Sequence, residues 1–173
     1  MNDKLIVIVG FMGCGKTVVA QELSRLVGRP CVDLDERIED VEGRSPAQII
    51  SEEGEEVFRQ KETAALSELL RRDERAVVAL GGGAWTIAEN RELIRSVESV
   101  VFWLDTPFEI CWQRIEQEGK SRPMAPSRAA AERLYRERRP VYRMSDLHIS
   151  SSDESPTQIA KNIAALLQQQ SHN

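Results

Sequence analysis

Residues 5–17 read LIVIVGFMGCGKT. An unbroken apolar run that feeds three glycines, a lysine and a threonine leaves few folds open. A strand that is apolar at every position has no solvent face, so it belongs in a sheet covered on both sides, as parallel α/β sheets are. The octet GFMGCGKT at 10–17 satisfies G-x-x-x-x-G-K-[ST]. It also stands where that pattern has physical meaning, after a strand and before the helical periodicity of TVVAQELSRLVG. Successive backbone N–H groups in such a loop, backed by the positive end of the next helix, make a cavity for a polyphosphate. A chance match in a chain of this length is on the order of one in a few hundred. The loop is therefore expected to bind ATP through Gly13, Cys14, Gly15, Lys16, Thr17 and Val18. Lys16 would reach the outer phosphates, and Thr17 would place its hydroxyl on Mg²⁺.

Further short apolar runs recur along the chain: PCVDLD (30–35), AVVAL (76–80), SVVFWL (99–104) and DLHIS (146–150). Longer helical patterns separate them. Ser45-Pro46-Ala47-Gln48 and Thr106-Pro107-Phe108-Glu109 each offer a capping hydroxyl, a proline at the first helical position and a Gln or Glu able to close a capping box. From Pro156 on, Ile159, Ile163, Leu166 and Leu167 repeat as one face of a terminal helix, ahead of a frayed tail QQQSHN. Strand then helix, five times over, predicts an α/β doubly wound sheet in a single domain spanning residues 1–173. One segment departs from the pattern. GKSRPMAPSR (119–128) has two prolines, a glycine and three basic residues without apolar periodicity, and it reads as a mobile basic loop.

Charge and cysteine usage narrow the class. The net charge of −5 is the wrong sign for a dedicated nucleic-acid binder. No apolar run approaches the roughly 20 residues needed to span a bilayer. The three cysteines are odd in number without metal-type spacing, and the apolar part of MNDKLIVIVG is too short for a secretion signal. A reduced cytoplasmic protein is expected, with neither membrane nor nucleic acid as a partner.

Asp33 and Asp35 fall two apart at the end of the second predicted strand. Ligands of open α/β sheets collect beyond the carboxyl ends of the strands, so both would face the phosphate loop's crevice. One would organise Mg²⁺ and the other accept a proton from an attacking hydroxyl. On the DxD pattern alone, a helix N-cap with a solvated neighbour is the competing reading. Arg59 and Glu62, three apart on a predicted helix, are either a surface ion pair or a guanidinium oriented by its neighbour. Gly81, Gly82 and Gly83 end the third predicted strand, and three glycines in a row are costly unless the backbone must approach something closely. Arg122 in the basic loop and Arg138 in RERRPVYR suit a phosphoryl group and a carboxylate, because the planar guanidinium binds both bidentately.

Taken in order, LIVIVGFMGCGKT, CVDLDERIED, GRSPAQIISEEGEEVFRQKE, GGG, the Arg-Pro of the basic loop and RRPVY resemble the shikimate kinases, of the nucleoside monophosphate kinase structural class, over nearly the whole chain. The resemblance implies a three-layer P-loop kinase fold with a five-stranded parallel sheet of order 2-3-1-4-5 and helices on both faces. It also implies an acceptor-binding region at about 34–62 and a mobile lid at about 116–128. The implied reaction transfers the γ-phosphate of ATP to the 3-hydroxyl of shikimate, in a monomer. By matching motifs, Lys16 contacts phosphates, Thr17 binds Mg²⁺ and Asp33 holds the ion through water. Asp35 binds the acceptor hydroxyls and serves as base or orienter. Arg59 and Arg138 clasp the carboxylate beside Gly81, Gly82 and Gly83; Arg122 swings toward the phosphates; and Arg114 lies against adenine. Two positions depart from the family pattern. Met124-Ala125 follow Arg122-Pro123 where two leucines are usual, and Trp85 follows the glycines where a smaller residue is usual. A kinase of another small hydroxylated acid or polyol, such as gluconate, is the alternative. A nucleotide-binding regulatory module is a third reading, but the NKxD motif of guanine readers is absent.

Overall fold

The computed structural model describes residues 4–72, 75–119, 122–152 and 154–170. Strands β1 (Leu5–Val9), β2 (Cys31–Asp33), β3 (Val77–Ala79), β4 (Ser99–Asp105) and β5 (Leu147–Ser150) form a parallel sheet in the order β2-β3-β1-β4-β5. This is the predicted order. Its centre is β1, where Val7 stands level with Val78 on one side and Val101 on the other. All five residues of β1 and all three of β3 are buried, as unbroken apolar runs require. The expectation fails at the edge, where Cys31 of β2 is exposed. β2 also ends sooner than the run PCVDLD suggested, because Asp33 caps a helix that begins at Leu34.

The helices are α1 (Lys16–Val27), α2 (Leu34–Glu42), α3 (Pro46–Glu53), α4 (Glu55–Arg71), α5 (Ala88–Arg95), α6 (Phe108–Glu118), α7 (Arg128–Tyr142) and α8 (Pro156–Gln170), with a 3-10 turn at Ala84–Thr86. The capping box at Ser45 is present in full. The Gln48 N–H donates to the Ser45 hydroxyl at 3.3 Å, and the Ser45 N–H donates to the Gln48 side chain at 2.8 Å. The second expected cap is not formed. Pro107 precedes α6, and the Thr106 hydroxyl turns inward to the Cys14 carbonyl and the Ser151 hydroxyl. Its hydrogen-bonding capacity is taken up in the interior, so the helix start goes without it. α8 packs on α1, burying Ile159, Ile163 and Leu167, with Leu166 partly covered.

The predicted lid is helical at its start, since α6 continues to Glu118, and it closes into a turn in which the Ala125 N–H bonds the Arg122 carbonyl at 2.8 Å. Lys120 and Ser121 of that segment, and residues 171–173 of the predicted tail, lie outside the described residues. Among the described residues no helix is long and apolar enough to cross a membrane.

Candidate active site

β1 delivers the chain into the phosphate loop, and Gly15 ends it as the N-cap of α1 with φ +96°, a conformation that L side chains rarely adopt. Gly13 (φ +75°) is required on a second count, because a Cβ there would sit 2.6 Å from the Cys111 carbonyl oxygen. The loop borders a cavity of about 550 Å³. Lys16 Nζ donates to the Phe11 carbonyl at 3.0 Å, and Arg114 Nη1 donates to the Gly13 carbonyl at 3.2 Å. The Thr17 hydroxyl donates to Asp33 Oδ2 at 2.5 Å, while Asp33 Oδ1 accepts from the N–H groups of Asp35 and Glu36 at 3.0 and 3.4 Å. Asp33 therefore caps α2 with one oxygen, as the competing reading has it, and holds the Thr17 hydroxyl with the other.

A second cavity of about 100 Å³ adjoins the first, lined by Asp35, Arg59, Glu62, Arg138 and the three glycines, with Pro46, Ile50, Phe58 and Met124 as its apolar wall. Every residue expected to bind nucleotide, metal or acceptor lines one cavity or the other, and Asp35, Gly82 and Arg122 line both. Asp35 sits in the first turn of α2, not at the end of β2 as expected. That rotation aims its carboxylate at the junction of the two cavities. Arg122 Nη2 is paired with Glu118 at 2.7 Å.

The glycine run has a specific steric cause. A Cβ on Gly81 would stand 2.6 Å from Asp35 Oδ1 and 2.9 Å from Glu62 Oε1, and one on Gly83 would stand 2.2 Å from Arg59 Nη2. What approaches the backbone closely is thus three charged side chains of the site. Glu62 is fully buried, which removes the surface-pair reading, and its Oε2 accepts from Arg59 Nη1 at 2.8 Å. Asp35 Oδ1 and Glu62 Oε1 are buried without a hydrogen-bond partner. Burial raises the Asp35 carboxyl above the usual range and the Asp33 charge adds to it, with Lys16, Arg59 and Arg122 opposing. Burial likewise pushes Glu62 up to about 7, outweighing the stabilising Arg59 beside it.

Sequence reasoning missed the fastenings behind these groups. The Tyr142 hydroxyl donates to the Gly82 carbonyl, and Trp85 Nε1 donates to the Val141 carbonyl at 3.1 Å. Trp85 is buried and does not line the second cavity. The motif RRPVY contains Tyr142, so half of this clamp was visible as a pattern without its purpose. Thr106 and Ser151 carried no signal beyond an expected helix cap. An oxygen-only pair, Thr17 and Asp33, faces the larger cavity, and no group of three or more His, Cys, Asp or Glu able to hold a metal occurs among the described residues.

A phosphate loop opening into a second cavity lined by three arginines and an unpartnered carboxylate oxygen defines the class: an ATP-dependent P-loop kinase of a small acceptor. The sequence model of the family described as shikimate kinase matches residues 12–168, and the chain belongs to that family. The shikimate kinase of Cereibacter sphaeroides is 35% identical over 167 residues, covering 95% of this chain and 82% of that protein. A solved shikimate kinase from Acinetobacter baumannii, in complex with shikimate, is similar at TM-score 0.90 and 34% identity, covering 96% of this chain and 94% of that one. A gluconokinase from Sinorhizobium meliloti 1021 is similar at TM-score 0.67 and 17% identity over 99% of this chain and 95% of that one, a likeness of fold alone.

Proposed function

We propose that the protein transfers the γ-phosphate of ATP to the 3-hydroxyl of shikimate, giving shikimate 3-phosphate and ADP. The observation that carries this reading is the buried, unpartnered Asp35 oxygen where the nucleotide cavity meets a cavity faced by Arg59 and Arg138. Arg59 and Arg138 clasp the acceptor carboxylate, with the Gly82 N–H beside them and Gly81 and Gly83 admitting the charged side chains. That anchoring presents a ring hydroxyl to Asp35. As its oxygen attacks the γ-phosphorus, the proton passes to Asp35 and the bond to the bridging β-γ oxygen breaks, releasing ADP. Arg122 serves both cavities and turns from Glu118 to the transferring group. Lys16 holds the outer phosphates, and Arg114 lies along the base. Catalysis here is mostly positioning and charge.

Thr17 and Asp33 suit Mg²⁺: both offer hard oxygen donors, and an ion that keeps several waters and phosphate oxygens needs few protein ligands. Thr17 would bind it directly and Asp33 through water. When bound, Mg²⁺ neutralises charge on the β- and γ-phosphates. The enzyme acts as a cytoplasmic monomer on this reading, which sedimentation of the purified chain tests.

A coupled ADP-release assay with Mg²⁺, run with and without millimolar shikimate and beside a panel including gluconate, tests the reaction. Turnover should depend on shikimate. Turnover with gluconate alone would reassign the acceptor, and ADP binding without any acceptor-dependent turnover would leave a nucleotide-binding module.

A further inference from the structure

The phosphate loop recognises its ligand through backbone N–H groups, and a flexible glycine loop needs something to aim them. At the loop's last peptide, between Cys14 and Gly15, that constraint arrives from the end of the neighbouring strand β4. The Cys14 carbonyl accepts from Thr106 Oγ1 at 3.3 Å, and Thr106 Oγ1 lies 2.5 Å from Ser151 Oγ. A hydroxyl has one proton to give. With Thr106's proton on Cys14, Ser151 must donate to Thr106, so the two hydroxyls form a directed chain. Both residues are buried, at 2% and 3% exposure, so neither geometry is set by bulk water. Thr106's own carbonyl is fixed in turn, accepting from the Tyr135 hydroxyl at 2.9 Å.

No described peptide bond is cis. In a trans peptide the C=O and N–H point in opposite directions, so a Cys14 carbonyl drawn into the interior turns the Gly15 N–H outward. Outward from Gly15 is the nucleotide cavity, which that residue lines. The preceding peptide is held by other means: the Gly13 carbonyl by Arg114, and the Cys14 N–H by the Phe11 carbonyl at 3.2 Å. Gly15 itself imposes little, because glycine rotates freely where other residues are confined.

We propose that Thr106, with its proton directed by Ser151, is a positioning residue that pins the Cys14–Gly15 peptide so that the Gly15 N–H points at the phosphates of the bound nucleotide. The proposal rests on the nucleotide site described above. Ser151 also lines the nucleotide cavity, so the pair links the β4–α6 and β5–α8 connections to the phosphate loop.

The test is the Gly15 amide resonance of the ¹⁵N-labelled full chain, titrated with ADP and Mg²⁺. In the parent protein the amide should move downfield as it bonds a phosphate oxygen. Thr106→Val should lose most of that shift and bind ADP about tenfold more weakly, the scale of one hydrogen bond to a charged group. Thr106→Ser keeps the hydroxyl and should restore both, while KM for shikimate stays unchanged throughout. Should the valine variant fail to fold, Thr106→Ala removes the same proton without added bulk and is read identically. A Val or Ala variant with the parent's Gly15 shift and an ADP Kd within twofold overturns the proposal, and so does a serine variant as weak as valine. A parent chain that binds no ADP at all would overturn the nucleotide site itself.

Discussion

The nucleotide cavity is built around one contiguous stretch, Met12–Val19, with further residues from α2, α6 and the β5–α8 connection, whereas the acceptor cavity gathers charged side chains from α2, α4 and α7 around a glycine run. In the first, Phe11 and Cys14 are buried in the core, and Cys14 still lines the cavity, where its main chain would face a ligand. In the second, the backbone gives up its Cβ atoms so that Asp35, Glu62 and Arg59 lie against it. A site made of main chain depends on peptide orientation and tolerates side-chain change. A site made of side chains depends on a few charges and on whatever keeps them in place.

Asp35→Asn tests the junction of the two and carries the largest expected effect. Turnover should fall about 10²- to 10⁴-fold, the range for a positioned acid–base group. ADP affinity by calorimetry should stay within about twofold. Loss of ADP binding would place Asp35 on the nucleotide side and break the distinction. Arg138→Lys retains the charge and removes the planar fork. KM for shikimate should rise about ten- to a hundredfold, as for lost charge-assisted bonds, with KM for ATP nearly constant. Equal changes in both constants would contradict the division.

Gly83→Ala sharpens the comparison. The added methyl meets the end of the Arg59 side chain, which is able to move, so the melting temperature should change little while KM for shikimate rises roughly tenfold through a displaced guanidinium. Strong destabilisation with unchanged KM would show that the glycine serves the fold and not the site. Glu62→Gln has the smallest expected effect and is read by pH. Burial raises the Glu62 carboxyl from 4.5 to about 7. The folded chain therefore holds a proton that the unfolded chain releases, and this contribution is complete below 4.5 and lost as pH rises through about 7. The melting temperature of the variant relative to the parent should rise between about pH 5 and pH 8; a difference independent of pH would mean that Glu62 stays ionised.

The same contrast explains what could be read from the chain before its structure. The phosphate loop was legible because its function is carried by contiguous residues with a fixed spacing. The acceptor residues were recognisable by pattern, but their arrangement was not: Asp35 lies in a helix because Asp33 spends one oxygen on capping it. The glycines were read as room for something close, yet nothing in GGG says that Asp35, Glu62 and Arg59 fill it. Thr106 misled for a physical reason. A threonine before Pro-x-Glu satisfies local capping logic, and only the arrival of Ser151 and the Cys14 carbonyl from distant segments gives its hydroxyl better partners. Trp85 depends likewise on Val141, 56 residues away.

The pairing of Arg122 with Glu118 also bears on how the reaction cycle ends. On the proposed mechanism Arg122 would surrender one carboxylate partner for another anion as it turns to the phosphates, so engagement would be an exchange of ion pairs and not a net gain of one. Glu118, at the end of α6, would then compete with the products for the same guanidinium and so favour the release of spent nucleotide and phosphorylated acid.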